Sequence, residues 1–127
     1  MQTVKGLGVD IIEIDRVGGA LARQPRMKQR LFTEDERSYC ESKTRPEVHY
    51  ALRFAAKEAA SKALGSGIRG LSWTEIEVCR DGKGKPSLQL HGAAAKVAAE
   101  LGINAVYLSL SYTRKNAVAS VIAVGLE

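Results

Sequence analysis

Arg53 to Gly65, RFAAKEAASKALG, constrains the fold more tightly than any other stretch of the chain. Alanine, lysine and glutamate are strong helix formers, and the glycine is a natural stop. A helix is predicted from about Glu47 to Leu64, with Ser66 and Gly67 behind its Gly65 cap. Successive residues lie about 100° apart around a helix axis. Leu52, Ala55, Ala56, Ala59, Ala60 and Ala63 therefore share one side. That side has almost no bulk, so another backbone can approach it closely. The helix then belongs at the centre of the fold or at a subunit contact.

The other side carries Arg53, Lys57, Ser61, Glu58 and Lys62, with Phe54 among them. Two explanations are open. One is a solvated face, with Glu58 and Lys62 as an i,i+4 pair of favourable orientation worth about 0.2–0.5 kcal/mol. The other is an anion site built around one carboxylate. Glu58 would bind a metal, while Arg53, Lys57 and Lys62 receive phosphates. Mg²⁺ suits such a site, because it takes one or two carboxylates together with substrate phosphates and waters. A second carboxylate must then come from elsewhere. Asp10 is the candidate, lying within GLGVDIIEIDRV, an otherwise apolar strand. A carboxylate buried there without a partner is costly. It is either an aspartate held by backbone or a cation, or the second metal ligand. Asp15, next to Arg16, reads as a cap on the helix that follows.

The rest of the chain mixes helices and strands. Val4 to Ile14 reads as a strand, and Arg16 to Leu31 as one or two short helices broken near Pro25. Thr33 caps a helix that opens with Glu34, Asp35 and Glu36. Trp73 to Cys79 and Ser87 to Leu90 read as strands around a turn. Gly92 to Leu101 reads as an amphipathic helix. Ala105 to Ser111 and Ala117 to Val124 form a hairpin around Thr113 to Asn116. Short turns join adjacent strands, which implies an α+β fold with an antiparallel sheet packed against the long central helix. The 127 residues suit one domain, 1–127. A monomer of this size is marginal, so an oligomer is an option.

Composition narrows the function. The net charge is +5, which suits an acidic partner: nucleic acid, a phosphorylated small molecule or an acidic protein. Arg16, Arg23, Arg26, Lys28 and Arg30 fall in a stretch without acids between Asp15 and Glu34. A solvated basic face explains them equally well. Against nucleic acid, there is no zinc-finger spacing or RNA-binding aromatic motif, and only 6% of residues are aromatic. No apolar run approaches a membrane span of about 18 residues. Acids interrupt the apolar start, so it does not read as a signal peptide, and a cytoplasmic location is the default. Cys40 and Cys79 read as free thiols. His49 and His91 read as structural or exposed.

Four pieces of the chain, taken together, resemble the holo-acyl-carrier-protein synthase family of small 4′-phosphopantetheinyl transferases. They are GLGVDIIEIDRV (6–17), RFAAKEAASKALGSGIRGLSW (53–73), GKGKPSLQL (82–90) and SLSYTRKNAVASVIAV (109–124). The resemblance implies transfer of the 4′-phosphopantetheine arm of coenzyme A to a serine of apo-acyl-carrier protein, in fatty acid biosynthesis. It implies Mg²⁺ held by Asp10 and Glu58, and a homotrimer with each active site formed between neighbouring subunits. It also implies that Lys62 is the main basic contact to the phosphates, with Arg53 beside it and Ser61 on the same helix. Gly65, Ser66 and Gly67 would line the coenzyme, as would Lys85 and Pro86 in the Gly84-Lys85-Pro86 turn. Many relatives carry Ser-His in the last hairpin, whereas this chain has Ser111-Tyr112. A tyrosine is a poor base at pH 7, so Tyr112 is expected to pack or hydrogen-bond near the coenzyme. The serine's proton goes to Glu58 directly or through a metal-bound water. Arg16 is the best single contact for the acidic carrier protein, supported by Arg23, Arg26 and Lys28.

Overall fold

The computed structural model describes residues 1–65 and 70–127. In chain order these form β1 (Gln2–Glu13), α1 (Ile14–Arg23), α2 (Met27–Leu31), α3 (Glu34–Glu41) and α4 (Pro46–Ala63). A 3-10 turn (Trp73–Glu75) leads into β2 (Ile76–Arg80), β3 (Pro86–Leu90), α5 (Gly92–Glu100), β4 (Ala105–Tyr112) and β5 (Asn116–Leu126). The strands make an antiparallel three-stranded sheet in the order β1-β5-β4 and a separate β2-β3 hairpin. The expected α+β class, with an antiparallel sheet on a long central helix, is the one found.

The helix α4 lies on one face of the large sheet, against β1 and β5. The reason is steric. A Cβ on Gly6 would stand 1.9 Å from the Ala63 carbonyl oxygen, and one on Gly8 1.9 Å from that of Ala59. Only glycine on the strand and alanine on the helix allow this approach. Gly6, Gly8, Asp10 and Ile12 alternate along β1 on the helix-facing side. The alanine stripe, with Ala119, Val121 and Ala123 of β5 and Ile76 and Val78 of β2, makes one core cluster. Ile14, Leu21, Phe32, Cys40 and Tyr50 centre a second, between α1, α3 and the first half of α4.

Local signals account for most boundaries. Pro46 opens α4, where its missing N–H costs nothing. Gly65 follows the helix with φ of 82°, a left-handed cap that glycine adopts without strain. Thr33 forms a full capping box with Glu36. Two expectations are corrected. The segment from Trp73 does not start as strand, because Ser72 and Glu75 cap each other around a 3-10 turn and β2 begins only at Ile76. Asp15 is not the cap of α1: the cap position is Glu13, and Asp15 sits in the first turn, where the helix dipole favours an acid.

Candidate active site

The polar side of α4 divides into two different surfaces. Phe54 and Glu58 are partly open and Lys62 is exposed, forming a stripe at i, i+4 and i+8. Arg53, Lys57 and Ser61 are 1%, 0% and 2% exposed. A uniformly solvated face is therefore ruled out.

The open stripe meets Asp10. The Lys62 Nζ lies 3.2 Å from Asp10 Oδ1 and donates to the Val9 carbonyl oxygen at 3.1 Å. The i,i+4 pair with Glu58 is not made, because the ammonium crosses to β1 instead. Burial pushes the Glu58 carboxyl up from its usual range, the charge of Asp10 pushes it further, and Lys62 pulls it back. The Glu58 carboxyl thus feels the charge of Asp10, and two such carboxylates offer hard oxygen donors to a cation. Among the described residues, no His, Cys, Asp or Glu joins them to make a cluster of three. The Ser61 hydroxyl donates to the Glu58 backbone oxygen at 2.8 Å. Its proton is thus committed inside the helix, and only its lone pairs remain.

Lys57 is not a phosphate ligand. Its Nζ donates to Glu36 Oε1 at 2.8 Å, to the Trp73 carbonyl at 3.1 Å and to the Ile76 carbonyl. All three protons are engaged, and the ammonium is sealed from solvent. Glu36 Oε2 in turn accepts from the Val78 N–H at 2.8 Å. Burial lowers the Lys57 pKa, and Glu36 opposes that.

Arg53 is not beside Lys62 within one subunit. The two are nine positions apart, which on a helix is about 13 Å and half a rotation. The Arg53 guanidinium stacks over Tyr39 at 4.1 Å, and its Nε has no partner. It borders a cavity of about 310 Å³ with Tyr39, Glu77, Cys79 and Arg80. Ser111 pairs with Val118, one residue out of the Asp10–Ala119–Leu110 row, so it lies on the outer face of the sheet. Tyr112 is 57% exposed and borders a hollow with Lys43, Arg45 and His49. Lys85 and Pro86 flank Tyr107 at the β4 edge, about 10 Å across the sheet from β1. Gly65 ends α4, while Ser66 and Gly67 lie outside the described residues.

The basic stretch behaves unevenly. Arg16, Arg23 and Arg26 are exposed. Lys28 is not a free contact: its Nζ is 2.9 Å from Glu41 Oε2, and it sits over the Tyr50 ring. Sequence reading missed an apolar hollow of about 200 Å³ beside Arg16, bordered also by Ile12, Val17, Met27 and Phe54. Its only advance signal was Phe54 on a polar helix side. Burial drives the Cys40 thiol up to about 12, so it is inert, and both cysteines are free.

Residues 6–121 match the profile of the 4′-phosphopantetheinyl transferase superfamily, and the chain belongs to that family. It is 47% identical to the holo-[acyl-carrier-protein] synthase of Alkaliphilus metalliredigens over 121 residues, covering 94% of this chain and 98% of that protein. Among solved structures, the Plasmodium yoelii acyl carrier protein synthase with ADP bound superposes with a TM-score of 0.90 at 32% identity, covering 100% of this chain and 99% of the other. The Bacillus anthracis holo-(acyl-carrier-protein) synthase in complex with CoA (3′,5′-ADP) gives 0.79 at 36% identity, covering 97% and 98%.

Proposed function

We propose that this chain is a holo-acyl-carrier-protein synthase. As a single domain, 1–127, in the cytoplasm, it transfers 4′-phosphopantetheine from coenzyme A to a serine of apo-acyl-carrier protein. The other product is adenosine 3′,5′-bisphosphate, and the reaction serves fatty acid biosynthesis. The observation that carries this reading is the meeting of Asp10, Glu58 and Lys62 at the open stripe of α4.

The donor set fits Mg²⁺: two hard carboxylates side by side, with room left for phosphate oxygens and water. Asp10 and Glu58 would hold the ion, and bound there it supplies charge neutralisation on the pyrophosphate. Lys62, exposed and on a flexible stem, binds the phosphates and stabilises charge as the serine oxygen attacks the β-phosphorus. Glu58, directly or through a water on the ion, is the basic group at hand for the serine's proton.

Arg53, Lys85, Pro86, Ser111 and Tyr112 do not reach this centre in their own subunit. Their distance from it is what sites shared between the subunits of a homotrimer would require, with these residues serving a neighbour's centre. The outer sheet face gives the surface for it: Leu7, Val9, Ile11 and Tyr107 are 68%, 58%, 65% and 60% exposed. Such an apolar face calls for a covering, and further copies of the chain provide one. The exposed Arg16, Arg23 and Arg26, with Arg16 at the rim of the apolar hollow, suit an acidic helical carrier protein with an apolar side chain for the hollow.

The test is the intact mass of apo-acyl-carrier protein after incubation with the protein, coenzyme A and Mg²⁺, with and without EDTA. A gain on the order of 340 Da from the covalent formula, lost with EDTA, is expected for metal-assisted transfer. Glu58→Gln and Asp10→Ala should each abolish it while leaving the fold intact. No gain with several carrier proteins would overturn the assignment.

A further inference from the structure

The ion pair at the centre of the site has a consequence for the order of binding. Lys62 is 52% exposed along its side chain, yet its ammonium rests on Asp10 Oδ1 and the Val9 carbonyl. Its neighbour one turn earlier, Glu58, has no cation partner among the described residues. Helix spacing alone would have favoured the Glu58 pair. The ammonium has instead taken the carboxylate on which the metal reading depends. A dication on Asp10 would share its carboxylate with an ammonium whose Nζ already lies 3.2 Å from Oδ1, and two cations drawn to one carboxylate repel each other strongly. We infer that Lys62 is a counter-ion lock: it neutralises Asp10 in the metal-free enzyme, and it must leave Asp10 when the metal binds and the coenzyme's phosphates arrive.

This inference rests on the metal and coenzyme roles proposed above. Lysine suits such an exchange, being a point charge on four rotatable carbons, with no fixed fork to break. Phosphate oxygens offer the released ammonium a new partner. Coenzyme then frees Asp10 for the metal, and the metal frees Lys62 for the coenzyme. By linkage the two couplings are equal. A lysine turned away from Asp10 into solvent would hinder the metal far less when coenzyme is absent.

The experiment is Mn²⁺ binding followed by the paramagnetic resonance of the free ion, with no acceptor protein present. Wild type, Lys62→Met, Lys62→Gln and Asp10→Ala are each titrated with and without coenzyme A. Thermal melting checks that each variant is folded. Without coenzyme, both Lys62 variants should bind Mn²⁺ about fivefold or more tightly than wild type. Coenzyme A brings phosphate ligands and should tighten Mn²⁺ binding in every protein, but the tightening should exceed that of the Lys62 variants by a similar factor in wild type, where the lock is also released. Unchanged or weaker Mn²⁺ affinity in both Lys62 variants, with binding still lost in Asp10→Ala, would overturn the lock alone. Mn²⁺ binding indifferent to Asp10→Ala would overturn the metal reading and the lock together.

Discussion

Replacing Gly8 by alanine tests the fold and the site in one step. The new Cβ would lie 1.9 Å from the Ala59 carbonyl oxygen, 2.9 Å from its carbon and 3.0 Å from the Ala63 nitrogen. All three are backbone atoms, so no side chain can rotate away. To restore even a 3.0 Å contact to the oxygen, β1 and α4 must part by about 1.1 Å. Overpacking of this kind costs about 1–3 kcal/mol, and the rigid partners place it at the upper end. That is a large share of the usual ~5–15 kcal/mol, and the melting temperature should drop by on the order of 10 °C. The parting also separates Asp10, two residues along β1, from Glu58, next to Ala59. A misplacement of ~1 Å can cost about 100-fold in rate. Carrier-protein conversion followed by mass, well below the new melting point, should therefore fall by about that factor. Gly82→Ala is the control: nothing lies within 4 Å of its Cβ, so stability should change by less than about 0.5 kcal/mol. A Gly8→Ala protein that melts within about 2 °C of wild type and keeps most of its activity would refute the close-approach reasoning.

Lys57→Met leaves Glu36 charged and buried, and urea denaturation should show a loss of about 3–5 kcal/mol; an unchanged midpoint would mean the pair is not sealed. Glu41→Gln tests the pH dependence. The Tyr50 hydroxyl first, and Lys28 second, hold the Glu41 carboxyl below its usual 4.5. Its stabilisation is therefore present above the unfolded value and lost as pH falls through the lower folded one. The variant should be weaker than wild type at pH 7 by under about 1 kcal/mol, since the side chain is half exposed, and the difference should close as the pH falls below the ordinary carboxylate value. A gap that widened in acid would contradict the sign. Leu7→Glu on the outer sheet face should lower the mass seen by sedimentation equilibrium without changing the circular dichroism. An unaltered oligomer would remove that face from the interface. Arg23→Glu with Arg26→Glu should raise KM for the carrier protein about tenfold, leave KM for coenzyme A alone and flatten the salt dependence. A matched rise in both KM values would argue against a docking role.

Which parts of this were readable in the sequence follows from the range of each interaction. The alanine stripe announced a close neighbour because side-chain volume is a property of each residue alone, and Gly6 and Gly8 supply the other half of that contact. The Thr33 cap was equally visible, because its partner Glu36 lies only three positions further on; that the two form a reciprocal box is seen only in the structure. Asp10 and Glu58 were noticed one at a time, as acids in apolar company, although 48 positions separate them. Helical periodicity states which residues share a side; it does not state what covers that side. Arg53, Lys57 and Ser61 therefore looked like continuations of the Glu58–Lys62 surface. In the fold, α3 and the entry to β2 close over Lys57, with Glu36 arriving from 21 residues upstream. A broad polar arc hid a second fact. Arg53 and Lys62 fall in the same arc on a coarse wheel, yet nine residues make two and a half turns and put them on opposite sides. The sheet misled in the same way, because Ser111 is adjacent in sequence to Leu110 of the Asp10 row but its side chain lies across the pleat. The residues that the family resemblance gathers into one site thus divide within one chain into a set around Asp10 and Glu58 and a set on other surfaces. In the trimer proposed above, a second copy placed against the outer sheet face would bring the two sets together, and the exposed Leu7, Val9 and Ile11 would then be as much a part of the proposed chemistry as the carboxylates.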